Sequence, residues 1–286
     1  MVQASALFAL AAFTGLIQAT PMHHRRHQHV QARGEAGKRG LAFPKQFNGQ
    51  VGSSFTQAFS GHSQITWMYD WEAVIDGTPL SGLEYVPLLH SNQDWCTSGW
   101  TQNVANARSK YDVKYVLSFN EPDQTGGGGS GIPVDQAIAA HKQYIQPLAG
   151  SGLKIGSPAV TNGAEADKGI NYLKQFMAGC SDCQIDFVVT HYYAWSNADD
   201  FKNYITKFHD TFQKPVWITE FGVNPGEGDA NEFLKQVLPW LDQTEWIQRY
   251  AYHMTAPDVE GKSYLVNSAG NGLTAAGLTY ATCPSS

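Results

Sequence analysis

Short apolar runs, rich in β-branched and aromatic residues, recur along the chain after residue 39, and each is followed by a longer polar or amphipathic stretch. The first four are GLAF (40–43), ITWMY (65–69), EYVPLL (84–89) and YVLSF (115–119). LKIGS (153–157), IDFVVT (185–190), PVWIT (215–219) and QRYAYHM (248–254) complete the set. They are near-continuously apolar rather than alternating, which predicts strands covered on both faces, as in a parallel sheet. Between them, VDQAIAAHKQYIQPLAG (134–150) predicts a helix that starts after Pro133 and stops at Gly150, and ANEFLKQVLPWLDQ (230–243) predicts another. Eight such β–α units in about 250 residues match an α/β fold of the (β/α)8 TIM-barrel type in count and size. An open, doubly wound sheet is the alternative. The count of eight, and the polar residues that recur at the C-terminal ends of the runs, favour closure. No internal repeat or linker divides the pattern, so a single domain is expected over 40–286.

The residues before it read differently. ASALFALAAFTGLIQA (4–19) has the apolar core and small-residue exit of a signal peptide, which places 1–19 outside the fold. The polar stretch 20–39 ends in the dibasic pair Lys38-Arg39 and reads as a pro-segment, cut before Gly40. A secreted protein, extracellular or in a cell wall, is therefore expected. This leader holds Arg25, Arg26, Arg33, Lys38 and Arg39 but only one acidic residue, Glu35. Without it the chain is more negative than the −6 of the whole sequence. Nucleic acid and membrane are poor partners for such a surface, and a neutral substrate suits it. Nothing in the pattern calls for a second subunit, and a monomer is expected.

Four cysteines in a secreted chain imply two disulfides. Cys180 and Cys183 are close enough to close a small loop, leaving Cys96 to pair with Cys283. The C-x-x-C spacing also occurs in redox and zinc sites, but no second pair accompanies it. No H-E-x-x-H or histidine triad is present, so neither a metal nor a cofactor is expected.

Chemistry gathers at the strand ends. Asn120-Glu121 follow the fourth run, His191-Tyr192-Tyr193 the sixth and Glu220 the seventh, while Tyr252-His253 close the eighth. In a barrel these ends converge on one mouth. Two glutamates facing one cleft are the minimum equipment for cleaving a glycosidic bond, one as a proton donor and one ionised for attack. Asn120 suits a hydrogen bond to the sugar hydroxyl beside the anomeric carbon, and Tyr193 suits a donor to the ionised glutamate. His191 is a candidate for lining the site, with a satisfied core histidine as the bland reading. Trp67, Trp71 and Trp195 stand at or beyond strand ends, where flat rings stack on pyranose faces, and core packing is the competing reading for each. Trp217, inside a run, reads as core. Trp95 and Trp100 flank Cys96 in a loop that belongs near the mouth.

The motifs KRGLAF, SFNEPD, CQIDFVVTHYY, PVWITEFG and GNGLTAAGLTY, in this order, resemble fungal glycoside hydrolase family 128, the glycosyl hydrolase catalytic-core proteins. The resemblance spans 40–280. It implies a short (β/α)8 barrel, endo-β-1,3-glucanase activity and β-glucan as the partner. It also implies a retaining mechanism, with Glu121 of N-E-P as acid/base and Glu220 of T-E-F-G as nucleophile. The run Gly126 to Gly129 and the segment 48–63 match no motif of that family. Hydrolysis of another β-glycan (β-1,6-glucan or β-mannan) and a non-catalytic wall-binding barrel are the rival readings. The glutamate pair weighs against the second. A serine esterase lacks the G-x-S-x-G elbow it would need.

Overall fold

The eight runs form eight parallel strands, in an order that follows the sequence around a curled sheet. The structure is a computed structural model and describes Met1, residues 37–259 and residues 261–284. The expected signal peptide and most of the expected pro-segment lie outside the described residues. The strands are β1 (Arg39–Ala42), β2 (Ile65–Tyr69), β3 (Glu84–Tyr85) and β4 (Tyr115–Val116). The others are β5 (Lys154–Val160), β6 (Phe187–Ala194), β7 (Val216–Val223) and β8 (Ile247–Tyr252).

Their spatial order is β3-β2-β1-β8-β7-β6-β5-β4, parallel throughout. Sequence neighbours pair throughout except β3 and β4, which form the two edges, and β8 lies beside β1. That order has no reversal point, so the doubly wound alternative is ruled out. Beyond β3 and β4 the chain continues the pairing. Leu88 and Leu117 form a parallel bridge, with Leu117 N donating to Pro87 O at 2.9 Å and Leu89 N to Leu117 O at 3.2 Å.

Helices cover the outer face: α1 (Trp100–Lys110), α2 (Val134–Ala140), α3 (Gly169–Gly179), α4 (Ala198–Phe212), α5 (Ala230–Gln243) and α6 (Ala275–Thr282). The helix expected over 134–150 is continuous in direction but passes through a π-turn, His141–Ile145, before its last turn, Gln146–Ala149. Asn197 and Asp229 cap α4 and α5, each side chain accepting from two backbone N–H groups of the first turn. The first two connections carry no α-helix. A 3₁₀ segment, Gly52–Phe59, joins β1 to β2, and an irregular loop joins β2 to β3. The helical layer is therefore thinner than the even alternation expected from the sequence. Among the described residues no helix is long and apolar enough to cross a membrane.

Two apolar layers result. One packs the sheet against the helices. The other fills the sheet's concave side with Trp67, Tyr69, Leu88, Leu117, Phe187 and Trp217. Trp67 was expected at the sugar site and is instead buried in this inner layer. Its ring packs on Trp217 at 5.4 Å, and its indole N–H donates to Lys38 O at 2.9 Å, at the N-terminal end of the strands. Position 40 must be glycine for that packing, since a Cβ there would stand 2.1 Å from the Trp67 ring. The Arg249 guanidinium lies 4.4 Å from the Tyr115 ring centre and 4.7 Å from that of Trp217, and is paired with Glu84 at 2.7 Å. This pair plugs the inner layer from below.

The start of β1 bears on the expected cut before Gly40, and the expected disulfides need correction. Arg39 is the first residue of β1 and is buried, with Nε donating to Tyr250 Oη at 2.8 Å and Nη1 to Tyr280 O at 2.9 Å. In the uncut chain the expected cleavage point between 39 and 40 lies inside β1. Of the disulfides, Cys180–Cys183 is formed, with the two Cα atoms 5.1 Å apart, whereas Cys96 and Cys283 are free thiols. These two lie at opposite ends of the strands. The Cys283 carbonyl accepts from Arg39 at the N-terminal end, and Cys96 sits in the turn Asp94–Thr97, beyond the C-terminal end of β3.

Candidate active site

The C-terminal ends of the strands surround a cavity of about 320 Å³ whose lining includes Trp71, Trp95, Asn120, Glu121, Glu220 and His253. Glu121 follows β4 and is buried, with φ of 38°, a left-handed conformation rare outside glycine. Its N–H donates to Ala159 O at 2.8 Å on β5, and its carbonyl accepts from Gln124 N at 3.1 Å. Strain of this kind costs about 1–3 kcal/mol and persists where surrounding bonds over-determine it. Trp71 is in the same region, with φ of 61°. Two of the site's side chains are thus aimed by strained backbone.

Glu220 sits on β7 directly opposite His191 on β6. The pairing register shifts just before His191, and on the β8 side it shifts between Ile218 and Phe221. Such irregularities re-aim side chains near a strand's end. His191 Nδ1 lies 2.8 Å from Glu121 Oε1 and 3.5 Å from Glu220 Oε1, while Nε2 is 2.9 Å from Thr219 Oγ1. One ligating atom from each of Glu121, His191 and Glu220 falls within 4.8 Å of the other two. The glutamates, far apart in sequence, meet on one buried imidazole.

Each oxygen of Glu220 has a dedicated donor. Trp71 Nε1 donates to Oε1 at 2.6 Å, and Tyr193 Oη donates to Oε2 at 2.5 Å. Burial alone would push the Glu220 carboxyl up. His191, His253, Tyr193 and Trp71 outweigh it and hold the group below the usual carboxylate range. The reverse holds for His191. Burial would lower it, but Glu220 and Glu121 raise it above an ordinary histidine. Tyr193 is pushed well up by burial and by Glu220, so it keeps its proton and remains a donor.

Asn120 donates from Nδ2 to Gly128 O at 3.0 Å, and its Oδ1 has no protein partner. Gly128 belongs to a hairpin that pairs Thr125–Gly126 with Gly129–Ser130. The glycine run that fits no motif is therefore a tight rim, with Gly127 and Gly128 forming part of the cavity wall. Trp195 stands beyond β6, 57% exposed and away from the cavity lining. Among metal-type donor sets, Glu121–His191–Glu220 is one cluster and His141–Cys180–Cys183 a second. The sulfurs of the second are joined to each other, and in the first the imidazole hydrogen-bonds to a carboxylate.

The family described as glycosyl hydrolase catalytic core matches residues 40–280, nearly the whole sheet and its helices. The chain belongs to this family. Its family-128 relatives include a curdlan-specific exo-β-1,3-glucanase from Blastomyces gilchristii, crystallised with glucose. The two share 33% identity over 87% of this chain and 99% of that one, with a TM-score of 0.71. A subgroup II endo-β-1,3-glucanase from Sorangium cellulosum shares 25% identity over 86% and 98%, also with a TM-score of 0.71. The alkali-sensitive linkage protein 1 of Schizosaccharomyces pombe is 30% identical over 263 residues, which are 86% of this chain and 44% of that protein. The chain thus spans less than half of that relative's length.

Within this family-128 site, the structure brings Asn120, Glu121, Trp71, His191, Tyr193 and Glu220 together. It leaves Trp67 in the core and Trp195 on the surface. Sequence reasoning left His253 unassigned. It lines the cavity, 5.6 Å from the rings of both Trp71 and Tyr193. Its place just after the eighth run was the available signal. Lys45 and Glu72, which also line the cavity, were missed because nothing in their local pattern separates a cavity wall from a loop.

Proposed function

We propose that this family member is a secreted, monomeric, retaining endo-β-1,3-glucanase, with Glu220 as nucleophile and Glu121 as acid/base. The observation that carries the reading is the shared imidazole. His191 holds the two carboxylates across one cavity, with an oxygen of each within 4.8 Å of the other, which suits the close carboxyl pair, about 5–5.5 Å apart, of a double displacement. The reading also takes the sheet as a closed (β/α)8 barrel, supported by the Leu88–Leu117 bridge between its edges.

In this mechanism Glu220 attacks the anomeric carbon of the bound glucosyl unit, and the glycosidic bond breaks. Trp71 and Tyr193 keep Glu220 ionised and aimed. Glu121 delivers its proton to the departing oxygen, then removes one from the water that cleaves the glycosyl–Glu220 ester. Asn120 presents its unpartnered Oδ1 and its Nδ2 on the same wall, where a hydrogen bond to the 2-hydroxyl strengthens as charge develops.

Internal cutting is supported by an exposed aromatic on the cavity wall, Trp95, with a second exposed ring, Trp195, on the surface outside the cavity. Trp95, after β3, is 66% exposed and Trp195, after β6, is 57% exposed. The Trp95 ring offers a stacking platform for a glucan that continues past the carboxylates. An exo mode is the second reading, favoured by the 33% identity to an exo-acting relative.

Chromatography of early products from laminarin and curdlan, beside pustulan and β-mannan, tests linkage and mode together. A ladder of β-1,3-oligomers is expected from the first minutes, with the β-anomer as the nascent product by NMR. A single product size from the outset establishes exo action. Inactivity on both β-1,3-glucans defeats the reading.

A further inference from the structure

We propose that Asp70 is a positioning residue of this site, working as a neutral carboxylic acid whose hydrogen bond to Tyr85 fixes the turn that holds Trp71 on Glu220. The inference rests on Glu220 being the nucleophile, and it adds a residue that touches no reacting atom.

The geometry is a matter of counting hydrogens. Tyr85 Oη lies 2.8 Å from Asp70 Oδ1 and 2.9 Å from the carbonyl oxygen of Glu72. A phenol has one hydrogen to give. If Asp70 were ionised, two acceptors would compete for it and one contact would be left without a proton. With Asp70 protonated both bonds form: the acid donates to Tyr85 Oη, and Tyr85 donates to Glu72 O. The two contacts clamp the ends of a three-residue turn, and Glu72 N adds a third at 3.3 Å from Asp70 Oδ1. Trp71, at the centre, has the left-handed backbone that directs its indole N–H to Glu220 at 2.6 Å. A residue with φ of 61° reverts to a commoner conformation unless its neighbours are held.

The surroundings favour the neutral form. Asp70 is 2% exposed, and its other oxygen, Oδ2, is buried without a partner, which would strand charge if the group ionised. The groups facing it are Tyr85 from β3, Glu72 on the same turn and Lys45 from the segment after β1. His90 and Glu220 stand on the walls of the same cavity. Burial pushes the Asp70 carboxyl up, and the Glu72 charge adds to that. In the ionised form the carboxylate would instead accept from Tyr85 and Glu72 N and face the Lys45 charge, which partly offsets burial and leaves Asp70 at about 7.

Ionisation of Asp70 near neutrality then loosens the turn and withdraws the Trp71 donor. The expected effect is a loss of kcat with rising pH while KM changes little. Asn at position 70 supplies an uncharged N–H donor in the same shape. Asp70→Asn is therefore expected to keep kcat near wild type at pH 5 and to lose the part of the alkaline decline centred near 7. Asp70→Ala, with no donor, is expected to lose about 10- to 100-fold in kcat with KM within threefold.

A second readout needs no turnover. The Trp71 indole N–H resonance, assigned by its disappearance in Trp71→Phe, is followed from pH 5 to 9 in the intact chain. A shift with midpoint near 7 in wild type, absent in Asp70→Asn, supports the proposal even if no β-1,3-glucan is cleaved. The same titration in both proteins, or an Asp70→Asn variant as impaired at pH 5 as Asp70→Ala, overturns it.

Discussion

Tyr193 reaches across from β6 to place its hydroxyl 2.5 Å from Oε2 of Glu220 on β7, on the opposite side of that carboxylate from the Trp71 indole. Both oxygens of Glu220 are spoken for, and both donors favour its charged form. A hydrogen bond to a charged group is worth about 1.5–3 kcal/mol, equivalent to roughly one to two pH units of carboxyl affinity.

Replacing Tyr193 with Phe removes one of these donors and keeps the ring. Burial, already the largest influence on Glu220, then pulls its pKa upward. The acid limb of kcat/KM is expected to move to higher pH by about one to two units. The sign is fixed. A group held below its ordinary value stays ionised down to a lower pH, and losing the donor gives that range back. A pH–rate profile with an unmoved acid limb would falsify the role of Tyr193.

Glu220→Gln removes the attacking carboxylate while keeping one acceptor oxygen for Trp71, and its amide N–H donates to the Tyr193 hydroxyl, which turns to accept. Turnover on β-1,3-glucan is expected to fall by at least about a thousandfold, with the calorimetric affinity for laminari-oligosaccharides within a few-fold of wild type. Near-normal turnover would move the nucleophile elsewhere. Loss of binding with loss of turnover would instead mark a folding defect.

Glu121→Ala separates acid catalysis from attack. A good leaving group needs no proton, so an activated aryl β-glycoside is expected to form the glycosyl-enzyme at close to the normal rate. A laminari-oligosaccharide is expected to lose several orders of magnitude. Deglycosylation slows as well, because the base that activates water is gone, and rapid-quench kinetics should show a burst followed by a slow steady state. Equal loss on both substrates would contradict the assignment.

Which of these features could be read in the sequence follows from physical locality. Glu121 and Glu220 were legible because each ends an apolar run on a carboxylate, and the curl of a parallel sheet gathers such ends on one side whatever the loops do. The two corrections concern features that depend on the long axis of the strands. Trp67 lies in a five-residue run ending at Tyr69, and so short an apolar pattern cannot distinguish a ring at the mouth from one at the floor. The pairing of Cys96 with Cys283 was assigned by elimination, which carries no information about which end of a strand each residue occupies. The strained turn at Trp71 was invisible for another reason. A left-handed tryptophan contradicts its own local preference and is imposed by tertiary bonds.

The free cysteines can be counted. Unfolding without reductant is expected to expose two thiols to a disulfide dye, and unfolding with reductant four. In the native protein Cys96 is expected to react slowly at pH 8, because burial pushes its thiol up to about 12 and leaves little thiolate. No thiol on unfolding would mean that Cys96 and Cys283 are joined after all, with a large rearrangement of one end of the domain.

Arg39 gives the clearest prediction about stability. Its guanidinium is buried under the start of β1 and donates to Asp242 Oδ2 at 2.5 Å and to the Cys283 carbonyl at 2.8 Å, besides Tyr250 and Tyr280. One side chain thereby ties the first strand to α5, β8 and the end of α6. Breaking a buried pair from one side leaves the other charge uncompensated, which costs about 3–5 kcal/mol. Arg39→Ala is expected to lose that much in urea unfolding, or roughly ten degrees in Tm at this size. Catalysis by the folded fraction should be unchanged, since Arg39 lies at the opposite end of the strands from Glu220. Arg39→Met, which keeps the packing of the stem, should recover part of the loss but leave Asp242 without its guanidinium. The same contacts bear on processing. A protease specific for dibasic pairs has to reach a peptide bond inside β1, so limited proteolysis after Arg39 is expected to be slow in the native protein and fast in Arg39→Lys, whose single ammonium cannot hold four acceptors. A loss below about 1 kcal/mol in Arg39→Ala would show that the strand's entry is held by its apolar neighbours alone.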